Sequence, residues 1–348
     1  MKVIGSMVIK NEWPLAAVSI SYALINHVDK MYVVDNGSQD GTWQGIKILQ
    51  KLFPERLVVI YYESDVFNQQ AISHALGHLI SSQHNEEYWV LAHDADEFLV
   101  TQFSDSLGEY LEVANNQWNS IFVPVENYIP PMDFQDDNLD LYAQIEYQVA
   151  LYSLYGNARE FNIKARAGEV YWQQYKTEGK VAYNKVIHKR IAHGSHQVLY
   201  GDAIRWVAHD SGTASSTTKN LFYLAHLPYT SKKRLSNRTK LRHSEKEGEP
   251  GRFFKNDQDT DITKFLENMT INKESKLFAD SLAMGNVTID NVFSDNILSV
   301  FPVLGPRWRE IVSAPSVRNE SSNQQFALLV DMAAGYIDIA DRLWRENR

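Results

Sequence analysis

Ionisable side chains are concentrated in residues 93–98 (HDADEF), directly after the apolar run Tyr88–Ala92. Charged groups at the mouth of a buried strand are costly unless something pairs with them. In an extended segment, residues i and i+2 point to the same side, so Asp94 and Asp96 are expected to converge on one point. Hard cations such as Mg²⁺ take carboxylate and phosphate oxygens as ligands. The segment therefore predicts a site where a metal ion holds a phosphorylated substrate.

Strand and helix patterns alternate through the first hundred residues. Strands are predicted over residues 2–9, 30–34, 57–62 and 88–92, and helices over about 14–27, over 43–52 and from Asn68 onward. This rhythm predicts a parallel sheet covered by helices on both faces. Ligands of such sheets lie at the carboxyl ends of the strands. Because Asp35 and Asp94 both fall at strand ends, we expect them to line one crevice.

The pattern is looser after residue 100. A helix is predicted over 104–116, strands over 120–125, 185–191 and 221–225, and a loop or lid over 231–261. Residues 126–180 carry no clear pattern. The tail is predicted to be helical because apolar residues recur there at helical spacing. That apolar face, which could also meet a partner, consists of Phe326, Leu329, Val330, Ala333, Ile337, Ala340 and Trp344.

Composition narrows the class of protein. The 348 residues are 44% hydrophobic, which is enough to bury a full core. The net charge of -9 argues against a nucleic-acid binder, although a bound metal would still allow an anionic substrate. The absence of cysteine excludes disulfides and thiolate zinc sites. With no signal peptide and no run near the roughly 18 apolar residues of a membrane span, we expect a soluble, cytoplasmic protein for which peripheral membrane contact stays open.

Three segments carry a resemblance to a known family. They are Lys10-Asn11-Glu12 after the first strand, residues 34–42 (VDNGSQDGT), and residues 94–98 (DADEF). In this order and spacing they resemble the GT-A glycosyltransferases of the family 2 type, in the subgroup with KNE and DxDEF motifs that is related to the family 92-like enzymes. A fainter similarity follows around residues 226–232.

The resemblance implies a fold and a domain division. The fold would be α/β, a GT-A (Rossmann-like) and mostly parallel sheet with helices on both faces, plus a helical C-terminal extension. The transferase domain would span residues 1–245, with a nucleotide-binding half over 1–100 and an acceptor half over 101–245. Residues 246–348 would form a lid or linker and a C-terminal helical region.

The resemblance also implies an activity. Such enzymes move a sugar from a nucleotide diphosphate donor, here most simply a UDP-sugar, to a hydroxyl of a glycan or glycolipid acceptor, usually with inversion. Asp94 and Asp96 would hold Mn²⁺ or Mg²⁺ against the diphosphate, with Glu97 orienting the motif. His226 would complete the metal shell, and its imidazole favours Mn²⁺ over Mg²⁺. His193 and His196 are alternatives for metal or phosphate.

Further roles are assigned by the same similarity. Asp35 would accept a hydrogen bond from the donor base, Glu12 would lie near the ribose, and Asn68 and Gln69 would approach the base edge. An inverting transfer needs a general base, for which Asp210 beside His209 is favoured and Asp202 is the alternative. The basic residues between 232 and 242 could cover the diphosphate or form a solvated surface.

Two other functions stay open. A nucleotidyltransferase can share a similar sheet and also uses metal-bound carboxylates, but Lys10-Asn11-Glu12 stands where a Gly-rich loop with a basic residue would be expected. A non-catalytic glycan-binding scaffold on a transferase fold is the other alternative. The retained pair Asp94 and Asp96 argues against it.

Overall fold

The computed structural model describes residues 1–64, 68–101, 107–115, 120–149, 158–174, 179–184, 222–228, 269–316 and 320–346. The chain divides into two compact units. The first comprises Met1–Pro124, Gly179–Tyr223 and Arg309–Arg348, and the second comprises Val125–Glu178 and Leu224–Trp308. The boundary expected at residue 245 lies outside the described residues, so the predicted domain division stays a prediction.

The described strands are three to eight residues long and are numbered in chain order. They are β1 (Lys2–Ile9), β2 (Lys30–Asp35), β3 (Leu57–Tyr61), β4 (Tyr88–Ala92), β5 (Glu97–Thr101), β6 (Ser120–Val123), β7 (Val125–Ile129), β8 (Tyr147–Val149), β9 (Lys180–Asn184), β10 (Phe222–His226) and β11 (Val287–Ile289).

The described helices range from single turns to one long C-terminal helix. They are α1 (Leu15–Asn26), α2 (Thr42–Leu52), α3 (Gln69–Gln83), α4 (Leu107–Asn115), α5 (Leu139–Tyr142), α6 (Ala158–Ala167), α7 (Lys276–Ala283), α8 (Val292–Ile297), α9 (Phe301–Leu304), α10 (Trp308–Val312) and α11 (Gln324–Glu346). Short 3-10 helices lie at Trp172–Gln174, Leu298–Val300 and Gly305–Arg307.

The first unit is built on a six-stranded sheet in the order β3-β2-β1-β4-β9-β6. Strands β1 to β4 are mutually parallel, whereas β9 runs antiparallel to both of its neighbours, β4 and β6. This mixed α/β fold confirms the predicted class. The strand order reverses between β1 and β4, which is the place where doubly wound folds bind ligands, outside the carboxyl ends of the strands.

Helices α3 and α11 cover one face of this sheet. Alternate strand residues such as Ile4, Tyr32 and Val90 join the apolar stripe of α3 in one buried cluster. The predicted C-terminal stripe belongs to the same cluster, which includes Phe326 and Val330 of α11. The stripe is therefore covered within the first unit over its first part, from Phe326 to Ile337.

One predicted strand is wrong in its extent. The sequence favoured a single strand over 120–125, but β6 ends at Val123 and β7 begins at Val125. Pro124 stands between them, and a proline has no N–H to give to a ladder of hydrogen bonds. The two strands lie in different sheets and belong to different units.

The second unit contains strands in the order β11-β8-β7-β10. Strand β7 pairs in parallel with β10, which places His226 opposite Asn127, and it pairs antiparallel with β8. Strand β8 pairs antiparallel with β11. Within the described ranges, no helix combines the length and apolar character that crossing a bilayer requires.

Candidate functional site

The acidic segment after β4 is a turn and not an extended strand. The N–H of Glu97 donates to the carbonyl of Asp94 at 3.1 Å, and the Glu97 carboxylate accepts the N–H of Asp94 at 2.8 Å. The expected extended geometry is therefore wrong, and the two aspartates have different environments. The side chain of Asp94 is 40% exposed, whereas Asp96 is 1% exposed. Glu97 orients the segment, as expected, by closing the turn.

A buried cation that sequence reasoning missed pairs with this turn. The Lys180 ammonium donates to Asp94 Oδ2 at 2.8 Å and lies 3.6 Å from Glu97 Oε1. Its side chain is only 2% exposed. Burial alone would lower the pKa of Lys180, but the Asp94, Glu97 and Asp96 carboxylates raise it above its ordinary value. The ammonium is thus held charged beneath the turn.

Strand β9 places Lys180 under the acidic turn. It runs antiparallel beside β4, with Leu91 opposite Ala182. Gly179 precedes the lysine, and a Cβ there would meet the Phe122 ring at 2.3 Å and the Val123 carbonyl at 2.5 Å. Only glycine allows this close approach of β6. The sequence did contain a signal for this contact, a lysine at the start of an apolar strand directly after a glycine. Such a lysine is expected to be buried, and a buried ammonium requires a carboxylate partner.

A cleft lies beside the turn, where the strand order reverses. Its lining includes Ser6, Gln69, His93, Asp94, Lys180 and Tyr183. The N–H of His93 donates to the Ser6 carbonyl at 3.2 Å and so ties the end of β4 to β1. Burial lowers the pKa of His93 to about 4, so its imidazole is neutral near pH 7. The cleft therefore presents one partly exposed carboxylate, one buried ammonium and a neutral imidazole.

Two of the segments that carry the family resemblance form a single hydrogen-bonded clasp. Asn11 adopts a left-handed φ of 57°, and its side-chain oxygen accepts the N–H of Gln39 at 2.6 Å. In return, the N–H of Asn11 donates to Ser38 Oγ at 2.9 Å. The N–H of Glu12 donates to Thr42 Oγ1 at 3.2 Å. These contacts fix Glu12 beside the polar turn after β2, and its predicted place near the ribose stays a prediction.

Asp35 is fully buried at the end of β2. Its Oδ1 accepts the N–H of Ser38 at 2.9 Å, while Oδ2 has no hydrogen-bond partner among the described residues. Burial raises the pKa of Asp35 to about 6, and the Ser38 hydrogen bonds only partly offset the rise. Asp35 is not among the residues that line the cleft beside Asp94. A crevice shared by Asp35 and Asp94 therefore has no support from this cleft and stays a prediction.

Asn68 and Gln69 begin α3. Asn68 Oδ1 accepts the N–H of Ala71 at 3.1 Å, which confirms the predicted N-cap. Gln69 lines the cleft together with Asp94. Of this pair, the structure brings Gln69 to the candidate site and gives Asn68 a capping role.

Of the remaining predicted residues, one is described in the second unit and the others lie outside the described residues. His226 is in the second unit, where its Nδ1 lies 2.7 Å from Asn127 Oδ1. Both general-base candidates, Asp202 and Asp210, lie outside the described residues, as do the alternative ligands His193 and His196 and the basic residues 232–242. Over the described part of the chain, no group of three or more His, Asp or Glu side chains forms a closed metal site.

Comparisons with known proteins identify no family. No family model matches the chain, and no curated protein matches it. Among solved structures, S. aureus TarS 1-349 is 13% identical over 54% of this chain and 48% of its own, with a TM-score of 0.31. The same protein in complex with UDP-GlcNAc is 15% identical over 36% of this chain and 35% of its own, with a TM-score of 0.26.

A third solved structure matches a longer part of the chain, but its sequence identity and TM-score are no higher. A putative glucose-1-phosphate thymidylyltransferase from Bacillus anthracis is 11% identical over 93% of this chain and 99% of its own, with a TM-score of 0.25. The chain spans about half the length of the TarS structure it matches. At these identities and TM-scores the comparisons leave the activity open, and the chain is described by its fold, a mixed α/β protein whose first unit carries a Rossmann-like sheet.

Proposed function

We propose that the protein is a metal-dependent glycosyltransferase that moves a sugar, with inversion, from a UDP-sugar to a hydroxyl of a glycan or glycolipid. The observation that carries the proposal is the cleft at the carboxyl ends of β1 and β4, where Asp94 is partly exposed above the buried Lys180. Strand-order reversals in parallel sheets are the usual place for nucleotide ligands. The clasp built from the two other family-like segments supports the same reading.

The described residues fit a cation shared with the donor better than a cation enclosed by protein. Asp94 offers a carboxylate that is 40% exposed, and the described ranges contain no larger cluster of ligands. Mg²⁺ commonly binds through one or two carboxylates together with substrate phosphates. Asp94 would hold Mn²⁺ or Mg²⁺ directly. The burial of Asp96 favours an indirect contribution, through its charge or an intervening water.

Charge on the departing diphosphate is the main electrostatic demand of this reaction. When bound, the cation would act as a Lewis acid that neutralises that charge. The protein's part is to hold Asp94 in place. Lys180 fixes one oxygen of this carboxylate, and Glu97 fixes its backbone N–H. The Lys180 ammonium also adds a permanent positive charge to the cleft wall.

Donor recognition is assigned to Asp35, Glu12 and Gln69. Asp35 would accept a hydrogen bond from an N–H of the base, which fits an aspartate whose Oδ2 lacks a partner among the described residues. Glu12 would lie near the ribose and Gln69 near the base edge. The general base is proposed to be Asp210, with Asp202 as the alternative. Both lie outside the described ranges, so neither has structural support.

Release of UDP from a UDP-sugar tests the proposal. Many glycosyltransferases hydrolyse their donor slowly, so the acceptor need not be known. We expect Mn²⁺-dependent UDP release from at least one UDP-sugar, and an Asp94→Asn variant should need at least about ten times more Mn²⁺, because even changes around metal ligands cost about 10- to 100-fold in affinity. Asp280→Asn is the matched control, since Asp280 also pairs with a lysine, Lys276, but lies on α7 of the second unit.

The alternatives give different products. A nucleotidyltransferase would release pyrophosphate from a nucleoside triphosphate, and a scaffold would release neither product. Metal-independent UDP release that survives Asp94→Asn would reject the role of Asp94. Pyrophosphate release in place of UDP would replace the proposed activity with nucleotidyl transfer.

A further inference from the structure

The polar turn after β2 is contacted by residues from near the end of the chain, and we call residues 311–316 the C-terminal strap. Ser316 Oγ donates to the backbone carbonyl of Gln39 at 2.6 Å. Trp13 Nε1, beside the same turn, donates to the backbone carbonyl of Ile311 at 2.7 Å. These partners are 277 and 298 positions apart in the sequence, yet the turn and the strap belong to the same first unit.

Gly41 lies directly against the strap. A Cβ at Gly41 would be 2.3 Å from the carbonyl oxygen of Ala314, far inside the distance of an ordinary van der Waals contact. The φ of Gly41 is −74°, which residues with a side chain adopt without strain. The need for glycine at this position therefore comes from the neighbouring strap and not from the backbone conformation of the turn.

The Trp13 side chain fastens the beginning of the strap. Trp13 is 7% exposed and Ile311 is 0% exposed, so the hydrogen bond between them is shielded from water. The Trp13 ring packs on Gly45 of α2, where a Cβ would meet the ring at 2.1 Å. The N–H of Trp13 also donates to Asp40 Oδ2 at 3.3 Å. The tryptophan thus links the strap to the polar turn and to the helix that follows the turn.

The chain is anchored a second time at the end of β3. The N–H of Asn323 donates to the Tyr61 carbonyl at 2.9 Å, and Ser322 Oγ accepts the N–H of Glu63 at 2.9 Å. Strand β3 pairs with β2, the strand that ends at Asp35. The C-terminal chain is therefore attached to the first unit at Ile311 and again at Asn323.

We infer that the C-terminal strap is a positioning element that holds the polar turn beside Asp35 in the conformation that binds the donor nucleotide. Binding sites lose affinity when the segments that carry them are loose, because the contacting groups must stay within about 0.5 Å of the productive geometry. Segments with few packed neighbours open locally at low free-energy cost, and the strap gives the turn a packed neighbour. The part played in donor binding rests on the proposed function, but the contact between strap and turn does not.

Gly41→Ala, which forces the turn and the strap apart, is the main probe. Hydrogen exchange of the full chain without any ligand, read by mass spectrometry, should become faster in residues 36–42 and 311–316 and stay unchanged in α3. Gly335→Ala is the matched control, since a Cβ at Gly335 meets nothing within 4 Å. The control should leave exchange in both segments as in wild type.

Donor affinity and turnover provide a readout that the loss of a merely structural contact would not move. In Gly41→Ala, the Kd for UDP measured by calorimetry should rise by about 2- to 30-fold. The KM for the UDP-sugar should rise by the same factor while kcat at saturating donor stays unchanged, which is the signature of lost binding without loss of transition-state stabilisation. Ser316→Ala removes only the hydrogen bond to Gln39 and should change both constants in the same direction by less. It replaces Gly41→Ala as the probe if that variant does not fold.

The outcomes separate the inference from the proposed function. Faster exchange in both segments together with weaker UDP binding supports the positioning role. Exchange equal to wild type in Gly41→Ala and in Ser316→Ala overturns the inference, and so does faster exchange with unchanged UDP affinity. A wild type that binds no UDP rejects the proposed function and the strap's part in it, whereas the exchange data still decide whether the strap holds the turn.

Discussion

Replacing Asp35 with asparagine should make the protein more stable and a weaker binder of its donor. The carboxylate of Asp35 is 0% exposed, and only one of its oxygens has a hydrogen-bond partner among the described residues. Asparagine keeps an oxygen to accept the Ser38 N–H but cannot ionise. The substitution therefore removes a buried negative charge without removing the turn contact.

The size of the effect follows from the pKa of Asp35, which burial raises from 3.8 to about 6. Each pKa unit corresponds to about 1.4 kcal/mol, so the ionised group costs up to about 3 kcal/mol of folding free energy at neutral pH. Because the folded-state pKa is raised, the native carboxyl group favours folding at low pH. That contribution is fully present below about pH 4 and is lost as the pH rises through about 6.

Urea unfolding of wild type and Asp35→Asn between pH 4 and pH 8 measures this difference. The variant should be more stable by about 1–3 kcal/mol at pH 7.5, with the gain shrinking towards zero at pH 4. Asp280→Asn, at a carboxylate exposed on α7, serves as the control and should show no comparable gain. Equal stabilities of wild type and Asp35→Asn at every pH would refute the buried-charge reasoning.

Calorimetry with UDP measures the predicted loss of donor binding in Asp35→Asn. A hydrogen bond to a charged group contributes about 1.5–3 kcal/mol, so loss of the carboxylate should weaken UDP binding by about tenfold or more. A variant that gains stability and binds UDP as tightly as wild type would assign Asp35 to the turn alone and reject the base contact.

The remaining predictions concern the acidic turn and the clasp. Lys180→Met should destabilise the protein by about 3 kcal/mol in urea unfolding, because it leaves buried carboxylates without their cation. Adding Glu97→Gln should recover part of this loss, and a double variant no more stable than Lys180→Met alone would contradict the ion pair. Asn11→Gly should lower the free energy of unfolding by about 1–2 kcal/mol, because it removes the side-chain acceptor. Asn11→Ala should lower it by about 1 kcal/mol more, because a Cβ is strained at positive φ. Equal thermal and urea stabilities of the two Asn11 variants would refute the strain.

Local patterns were sufficient to predict most elements of the first unit. The structure confirms the strands predicted from the apolar runs of β1 to β4 and the helix predicted from the stripe of α3. Each of these patterns depends on periodicity within a few residues. The cap of α3 was equally local, since Asn68 accepts the N–H of Ala71 only three positions ahead. Sequence reasoning was less successful where residues far apart in the chain meet.

The acidic turn shows why the site was harder to predict than the fold. Sequence spacing placed Asp94 and Asp96 on one side of an extended segment, but the backbone turns at this point and buries Asp96. The turn pairs with Lys180, which lies 86 positions from Asp94. No local pattern specifies a contact over that separation, because it depends on β9 joining the sheet antiparallel beside β4.

The sequence by itself determined the alternation of strands and helices and the ends of β2 and β4 at which Asp35 and Asp94 stand, because hydrophobic periodicity and capping act within one or two turns of chain. The tertiary structure decided which ionisable side chains have a shifted pKa. Burial raises the pKa of Asp35 and lowers that of His93, and three carboxylates raise that of Lys180. Desolvation and pairing depend on neighbours in space, and those are set only when the strands assemble.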